Sequence, residues 1–372
     1  MVELARARPR RSSRLRVRCL LALGVATAAL VLADPALAHT GKTAPVATNF
    51  EARIGGVRPE TAAVEAKVVD GDAGLWLHVR AGATLVIRGA EGEPMLLFDR
   101  HGVFANVRSL TAESDRIDLL DARPDPNPSA QPEWHRLTSG HSYLWHEHRL
   151  HVLEPLSRGH RATTMLGTWT VPFLLDGASH RLAGTLVYHP PGRVWPWIVL
   201  AIGLAATLAA AARLDPFERG RIARGAAVPT VLVVWTLRVG RELYGRPAVG
   251  SSGYLETALT CLVGVGLLYG LLHRDLAVRT VTALFAGIGS LYQGFTMLPV
   301  LTHAVALTTL PSPIARLGVA ATLGLGAGIS AIALREQFGA TEPQRPRARD
   351  ADARSRNGPT GPRPRSRRRA SA

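Results

Sequence analysis

Beyond residue 193 the chain is dominated by apolar blocks of membrane-spanning length, and no other feature constrains its fold as strongly. The blocks cover 194–214, 226–245, 254–273, 279–300 and 313–334. A helix needs about 20 apolar residues to cross a bilayer core, so the pattern predicts five transmembrane helices. Arg219, Arg221 and Arg224 follow the first block, Arg274 and Arg279 lie between the third and fourth, and a basic tail follows the fifth. Basic residues favour the cytoplasmic side. This predicts a multi-pass protein of the cell membrane with its N-terminal domain extracytoplasmic and its C-terminus cytoplasmic. The stretch 301–311 is too short to span; it is expected to be an outer loop or an interfacial helix, with a sixth span as the alternative.

Charges inside such a region are costly unless they are paired or near an interface. Arg238 and Glu242 lie one helical turn apart at the outer end of the second block, beside Arg241, and Glu256 opens the third. An interfacial ion pair is the expected arrangement, and an ion pathway the alternative. Glycines in the last two blocks are expected to let helices pack closely.

The N-terminus has the three parts of an export signal: a basic region to Arg18, an apolar run, and the small-residue site Ala36-Leu37-Ala38. Cleavage there would make 1–38 a signal peptide and His39 the first mature residue; an uncleaved anchor is the alternative. The net charge of +16 does not indicate a nucleic-acid partner. Residues 1–18 carry +6 and residues 335–372 carry +7. The latter stretch is rich in Pro, Ala, Ser and Gly and reads as a disordered cytoplasmic tail.

Between 39 and 190 short alternating segments replace the apolar blocks. Candidate strands cover 49–57, 62–69, 75–80, 84–89, 94–98, 101–107, 142–152, 167–175 and 181–189, separated by turns such as "VDGDAG" and "LDGAS". Such a series predicts an all-β exported domain, an antiparallel immunoglobulin-like sandwich. The stretch 121–133 is expected to be an exposed loop. Trp76, Trp145 and Trp169 are expected in the core.

The segment "HSYLWHEHRLHVLEP" (141–155) carries the strongest chemical signal. On a strand, His146 and His148 share a face with Cα atoms about 6.5 Å apart, close enough for two imidazoles to hold one ion. His151 faces the other way unless the chain bends, in which case all three converge. Glu147 is a candidate to orient an imidazole and Arg149 to fix a carboxylate; an exposed ion pair is the alternative. The only cysteines are Cys19 and Cys261, one in the signal and one in an apolar block. An external metal site would therefore use imidazole and carboxylate, which suits copper(II) or zinc. A processed His39 would add an α-amino and a ring nitrogen, a pair favoured by copper(II).

Gly167, Thr168, Trp169, Val171, Asp176, Gly177, His180 and Gly184 trace a pattern that resembles the closing hairpin of CopC-type copper proteins. Two residues separate Gly177 from His180. The order of an exported domain followed by membrane helices is similar to CopC–CopD fusions. This resemblance implies copper ligation by His39 and His180. The layout also resembles actinobacterial membrane proteins carrying a W-H-[DE]-H-R-x-H segment, a likeness that implies no activity.

Together these features predict a membrane-anchored metal-binding protein with His39, His146, His148, His151 and His180 as candidate ligands, copper as the expected ion and zinc as the second. Its partners would be the metal ion, the lipid bilayer and an envelope protein. No G-x-S-x-G, H-E-x-x-H or P-loop is present, so an enzyme is not expected. The alternative is a structural or interaction protein whose histidines bind no metal.

Overall fold

The computed structural model describes residues 45–115, 117, 126–151, 161–248 and 251–339. The expected signal peptide, His39 and the tail beyond 339 lie outside them, as do 152–160, which include His160.

The N-terminal part is built from antiparallel strands. In chain order they are β1 (Ala47–Thr48), β2 (Phe50–Arg58), β3 (Val64–Val69), β4 (Gly74–Val79), β5 (Leu85–Arg88), β6 (Pro94–Asp99), β7 (Gly102–Asn106), β8 (Trp134–Thr138), β9 (Ser142–His146), β10 (Thr164–Leu175) and β11 (Ala178–Tyr188). A short helix, α1 (Leu110–Ser114), follows β7. Strands β2-β11-β10-β5-β6-β7-β8 form one sheet and β3-β4-β9 a second. Leu75, Leu77 and Trp145 of the second sheet share one buried core with Ile87, Phe98, Val171 and Phe173 of the first. Burying both inner faces against each other supplies the apolar driving force for the layer pair.

The β10–β11 hairpin closes at Asp176 (φ 47°) and Gly177 (φ 84°). An Asp-Gly pair tolerates the positive φ that a two-residue hairpin turn demands. Gly184 packs directly beneath the Trp169 ring, where a Cβ would collide with the indole. Part of the hairpin's sequence pattern therefore has a packing cause.

One expectation is corrected here, and one strand is added. Residues 142–152 are not one strand: β9 stops at His146 and a 3-10 turn occupies His148–Leu150. Strand β8, absent from the candidate strands, pairs with β7 at the sheet's margin.

The C-terminal part is helical: α2 (Trp195–Ala211), α3 (Pro216–Gly245), α4 (Ser251–Leu272), α5 (Leu276–Thr296), α6 (Pro299–Thr302) and α7 (Ser312–Gly339). Phe217–Gly245 and Ser312–Glu336 are long and apolar enough to cross a membrane, whereas Trp195–Ala211 and Thr257–Leu272 are shorter apolar helices. Leu255, Leu262, Tyr269 and Leu272 of α4 are 62%, 67%, 71% and 78% exposed. A continuous apolar exterior of this kind calls for an apolar covering. Gly287 of α5 and Gly326 of α7 allow the two backbones to approach: a Cβ on Gly287 would lie 3.0 Å from the Gly326 carbonyl oxygen.

The stretch 301–311 docks the two parts together. It contains the end of α6 and then β12 (Val305–Ala306), which pairs antiparallel with β1. The amide of Ala304 donates to Asn49 Oδ1 at 2.9 Å, and that of Leu307 to the Val46 carbonyl at 3.0 Å. At the outer end of α3, Arg241 donates to Asp70 Oδ1 at 2.7 Å and to the Pro45 carbonyl at 2.8 Å, an ion pair with the β part. Glu242 Oε2 accepts from Thr257 Oγ1 at 3.2 Å. Lys67 adds hydrogen bonds to the carbonyls of Tyr244 and Arg246.

Candidate metal centre

The site is built at the point where β9 ends. Along 144–147 the strand alternates exposed and buried positions, which puts His146 outside and Trp145 and Glu147 inside. Glu147 is fully buried. A carboxylate there needs donors on both oxygens, and it has them. Trp145 Nε1 donates to Oε2 at 3.1 Å, Arg149 Nε to Oε1 at 2.6 Å, Arg149 Nη2 to Oε2 at 2.6 Å, and the Arg149 amide to Oε1 at 3.1 Å. The last of these closes the backbone into the 3-10 turn, and Leu150 is buried beneath it. Glu147 thus anchors the turn and does not orient an imidazole, while Arg149 fixes that carboxylate as expected.

The turn reverses the chain before Arg149 and gathers three rings. Centroids of His146 and His148 are 4.7 Å apart, of His146 and His151 4.8 Å, and of His148 and His151 6.0 Å. Nε2 of His151 lies 3.3 Å from Nε2 of His146. Two of the rings are held from behind by carboxylates. Asp72, in the β3–β4 turn, meets His151 Nδ1 at 3.1 Å. Asp115, just after α1, meets His148 Nδ1 at 2.5 Å and also accepts from the His148 amide at 3.3 Å. With the proton on Nδ1 facing its carboxylate, each of these two rings would present its Nε2 lone pair, the arrangement found behind metal-bound imidazoles.

Asp115 is the most perturbed group near the site. Burial pushes its carboxyl up to about 6, and the neighbouring Glu147 charge adds to that, against the lowering effect of the His148 hydrogen bonds. Its Oδ2 is buried and has no hydrogen-bond partner among the described residues. Two carboxylates, Asp72 and Asp115, back the rings, while Glu147 beneath them is paired with Arg149. Such surroundings favour a further positive charge. The site is reachable: the His148 side chain is 42% exposed.

No protein-family model matches the chain, and no curated protein or solved structure is significantly similar to it.

The three histidines do not form a finished coordination sphere. Among the described residues no group of three or more His, Cys, Asp or Glu side chains already stands in the arrangement of a metal site. The His146 and His151 Nε2 atoms are 3.3 Å apart, and the His148 ring lies beside them.

The other candidate ligands are placed elsewhere or lie outside the description. His39 precedes the described residues. His180 is on β11, in the other sheet; its Nδ1 is 3.0 Å from the Pro59 carbonyl and its ring stacks on Phe173. It lines a shallow groove of about 530 Å³ with Arg58, Pro59 and Arg181. Two arginines beside it make that groove unfavourable for a cation. Asp72 and Asp115 were not singled out from the sequence. The "VDGDAG" turn is legible as a turn, but its proximity to His151 depends on the β4–β9 pairing, which sets Gly74 opposite His146.

Proposed function

We propose that this chain is a membrane-anchored extracytoplasmic protein that binds a divalent, imidazole-preferring ion through His146, His148 and His151. The observation that carries the reading is the 3.3 Å separation of the His146 and His151 Nε2 atoms, with Asp72 fixing one ring from behind. Two nitrogens each about 2.0–2.1 Å from a tetrahedral ion are about 3.3–3.4 Å apart. Adjacent nitrogens on a square-planar ion lie closer, at about 2.8 Å. The separation suits a tetrahedral zinc ion as it stands, and copper(II), the ion expected from the sequence, after a small approach of the two rings. Asp115 Oδ2, buried and without a partner among the described residues, is positioned beside His148 to respond to the added charge.

In this reading the β part is an immunoglobulin-like exported sandwich, five helices cross the membrane, and the C-terminus is cytoplasmic. The support is the length and apolar exterior of the helices and the asymmetry of the basic residues. The helices anchor the site, and the CopC likeness supplies copper handling as the related role. The site captures an ion and performs no catalysis; an envelope protein is the expected recipient.

The test is calorimetric titration of the full chain in detergent with zinc and, separately, copper(II). Wild type should bind one ion, and His146→Ala and His151→Ala should each weaken it at least a hundredfold. Equal affinity in both variants would remove these residues from the site. Binding of neither ion by wild type would leave a tethered sandwich with a structural role.

A further inference from the structure

At the end of the helical part remote from the sandwich, the first turns of α3 and α5 repeat one arrangement. Asp215 and Asp275 each cap a helix, and four residues on each cap comes an arginine, Arg219 and Arg279. Arg219 and Arg224 lie beside a single carboxylate, Glu336 of α7, and Arg279 is close enough to Arg224 for their charges to interact. Arg219 Nε is 3.8 Å from Glu336 Oε1, and both the Arg224 Nη1 and Glu336 Oε1 atoms lie against Gly220, about 3 Å from where its Cβ would be. Thr280 Oγ1 donates to Glu336 Oε2 at 3.1 Å. The remaining polar contacts are to backbone: Arg219 Nη1 donates to the Ala212 carbonyl at 3.2 Å, and Arg279 Nη2 to the Arg274 carbonyl at 3.5 Å.

The Arg219, Arg224 and Arg279 guanidinium groups share this end of the bundle with the Glu336 carboxylate, a surplus of positive charge in a largely enclosed place. The side chains of Arg219 and Glu336 are 11% and 15% exposed. Arg219 Nε and Arg279 Nε are both buried and have no hydrogen-bond partner among the described residues. An unpaired buried donor is costly, and a surplus charge more so. An anion with several acceptor oxygens would resolve both, and the guanidinium fork matches phosphate.

Position selects the source of that phosphate. Arg219 and Arg241 lie on the same helix, 22 residues apart, which at about 1.5 Å per residue is about 33 Å and close to the hydrocarbon thickness of a bilayer. Arg241 contacts the sandwich, so the Arg219 cluster falls at the opposite headgroup layer. We infer that Arg219, Arg224 and Arg279 form a binding site for the phosphodiester of an anionic phospholipid. The inference rests on the membrane-spanning reading and is independent of the metal site.

The test is thermal melting of the full chain in neutral detergent with added phosphatidylglycerol, phosphatidylcholine or inorganic phosphate. Phosphatidylglycerol should raise the melting temperature and phosphatidylcholine should not. Arg279→Gln should weaken the phosphatidylglycerol effect at least tenfold in concentration, while Glu336→Gln, which removes the competing carboxylate, should strengthen it severalfold. Inorganic phosphate acting as strongly as the lipid would overturn the lipid assignment. An unchanged response in Glu336→Gln, or in a folded Arg279→Gln, would overturn the site itself.

Discussion

Nε2 of His146 and Nε2 of His151 face each other at 3.3 Å across the turn that Glu147 closes. An extended strand would send these residues, five apart in sequence, to opposite faces. The buried ion pair under the turn is therefore what creates the site.

Removing that anchor should be expensive. Glu147→Ala would strand Arg149 and leave the Trp145 N–H unpaired, at a cost of about 3–5 kcal/mol. The double variant Glu147→Ala/Arg149→Ala should lose less than the two single losses combined, because the lone buried charge is gone. Melting curves of the three variants would check this, and strict additivity would argue against the pair acting as a unit.

The carboxylates behind the rings can be tested without disturbing the core in the same way. Asp72→Asn keeps the size of the side chain but weakens the hold on His151 Nδ1. It should reduce zinc affinity about 10- to 100-fold with little change in melting temperature. Unchanged affinity would mean that Asp72 does not position the ring.

The β3–β4 turn links the site to the helical part. Asp70 meets Arg241 at 2.7 Å, Asp72 meets His151 at 3.1 Å, and Gly71 lies between them with φ 82°. A Cβ on Gly71 would strike Thr48 and come within 2.8 Å of the Phe50 carbonyl oxygen. Gly71→Ala should therefore destabilise the protein by about 1–3 kcal/mol and weaken zinc binding as well, since the same backbone carries Asp72. Amide exchange should quicken in β1 and β12. A variant with native exchange and native zinc affinity would contradict this linkage.

Much of this was legible in the sequence, and the failures have identifiable causes. Period-two patterning located most strands where a sheet buries one face, as at Trp169, Val171 and Phe173. The strand-favouring Tyr, Trp, His and Val types misled at 147–151, where the buried Glu147 carboxylate caps a 3-10 turn. Asp115 and His148 are 33 positions apart, and their contact depends on how α1 packs against the sheet. A close contact of that kind leaves no local signature. The helices were visible through length and hydropathy, but which arginine would meet which acid was not: Arg241 turned to Asp70, a residue of the other part.

Away from the site, Glu93 gives a pH-dependent prediction. Burial opposes its ionisation, but hydrogen bonds from Ser109 Oγ at 2.7 Å and the Thr111 amide at 3.1 Å outweigh it and hold the carboxyl below its ordinary value of 4.5. A depressed folded-state value means stability that is complete above the unfolded value and lost as pH falls through the folded one. Glu93→Gln should therefore melt lower than wild type at pH 7, by the equivalent of about 1–3 kcal/mol. The gap should narrow below pH 4.5. A gap independent of pH would assign the loss to packing alone.

Whether His146, His148 and His151 hold one ion together can be read from the X-ray absorption spectrum of the full chain loaded with one equivalent of zinc. The spectrum should show imidazole nitrogens at about 2.0–2.1 Å, numbering three in wild type and two in His148→Ala. A shell of oxygen alone, or an unchanged nitrogen count in His148→Ala, would contradict a jointly held ion.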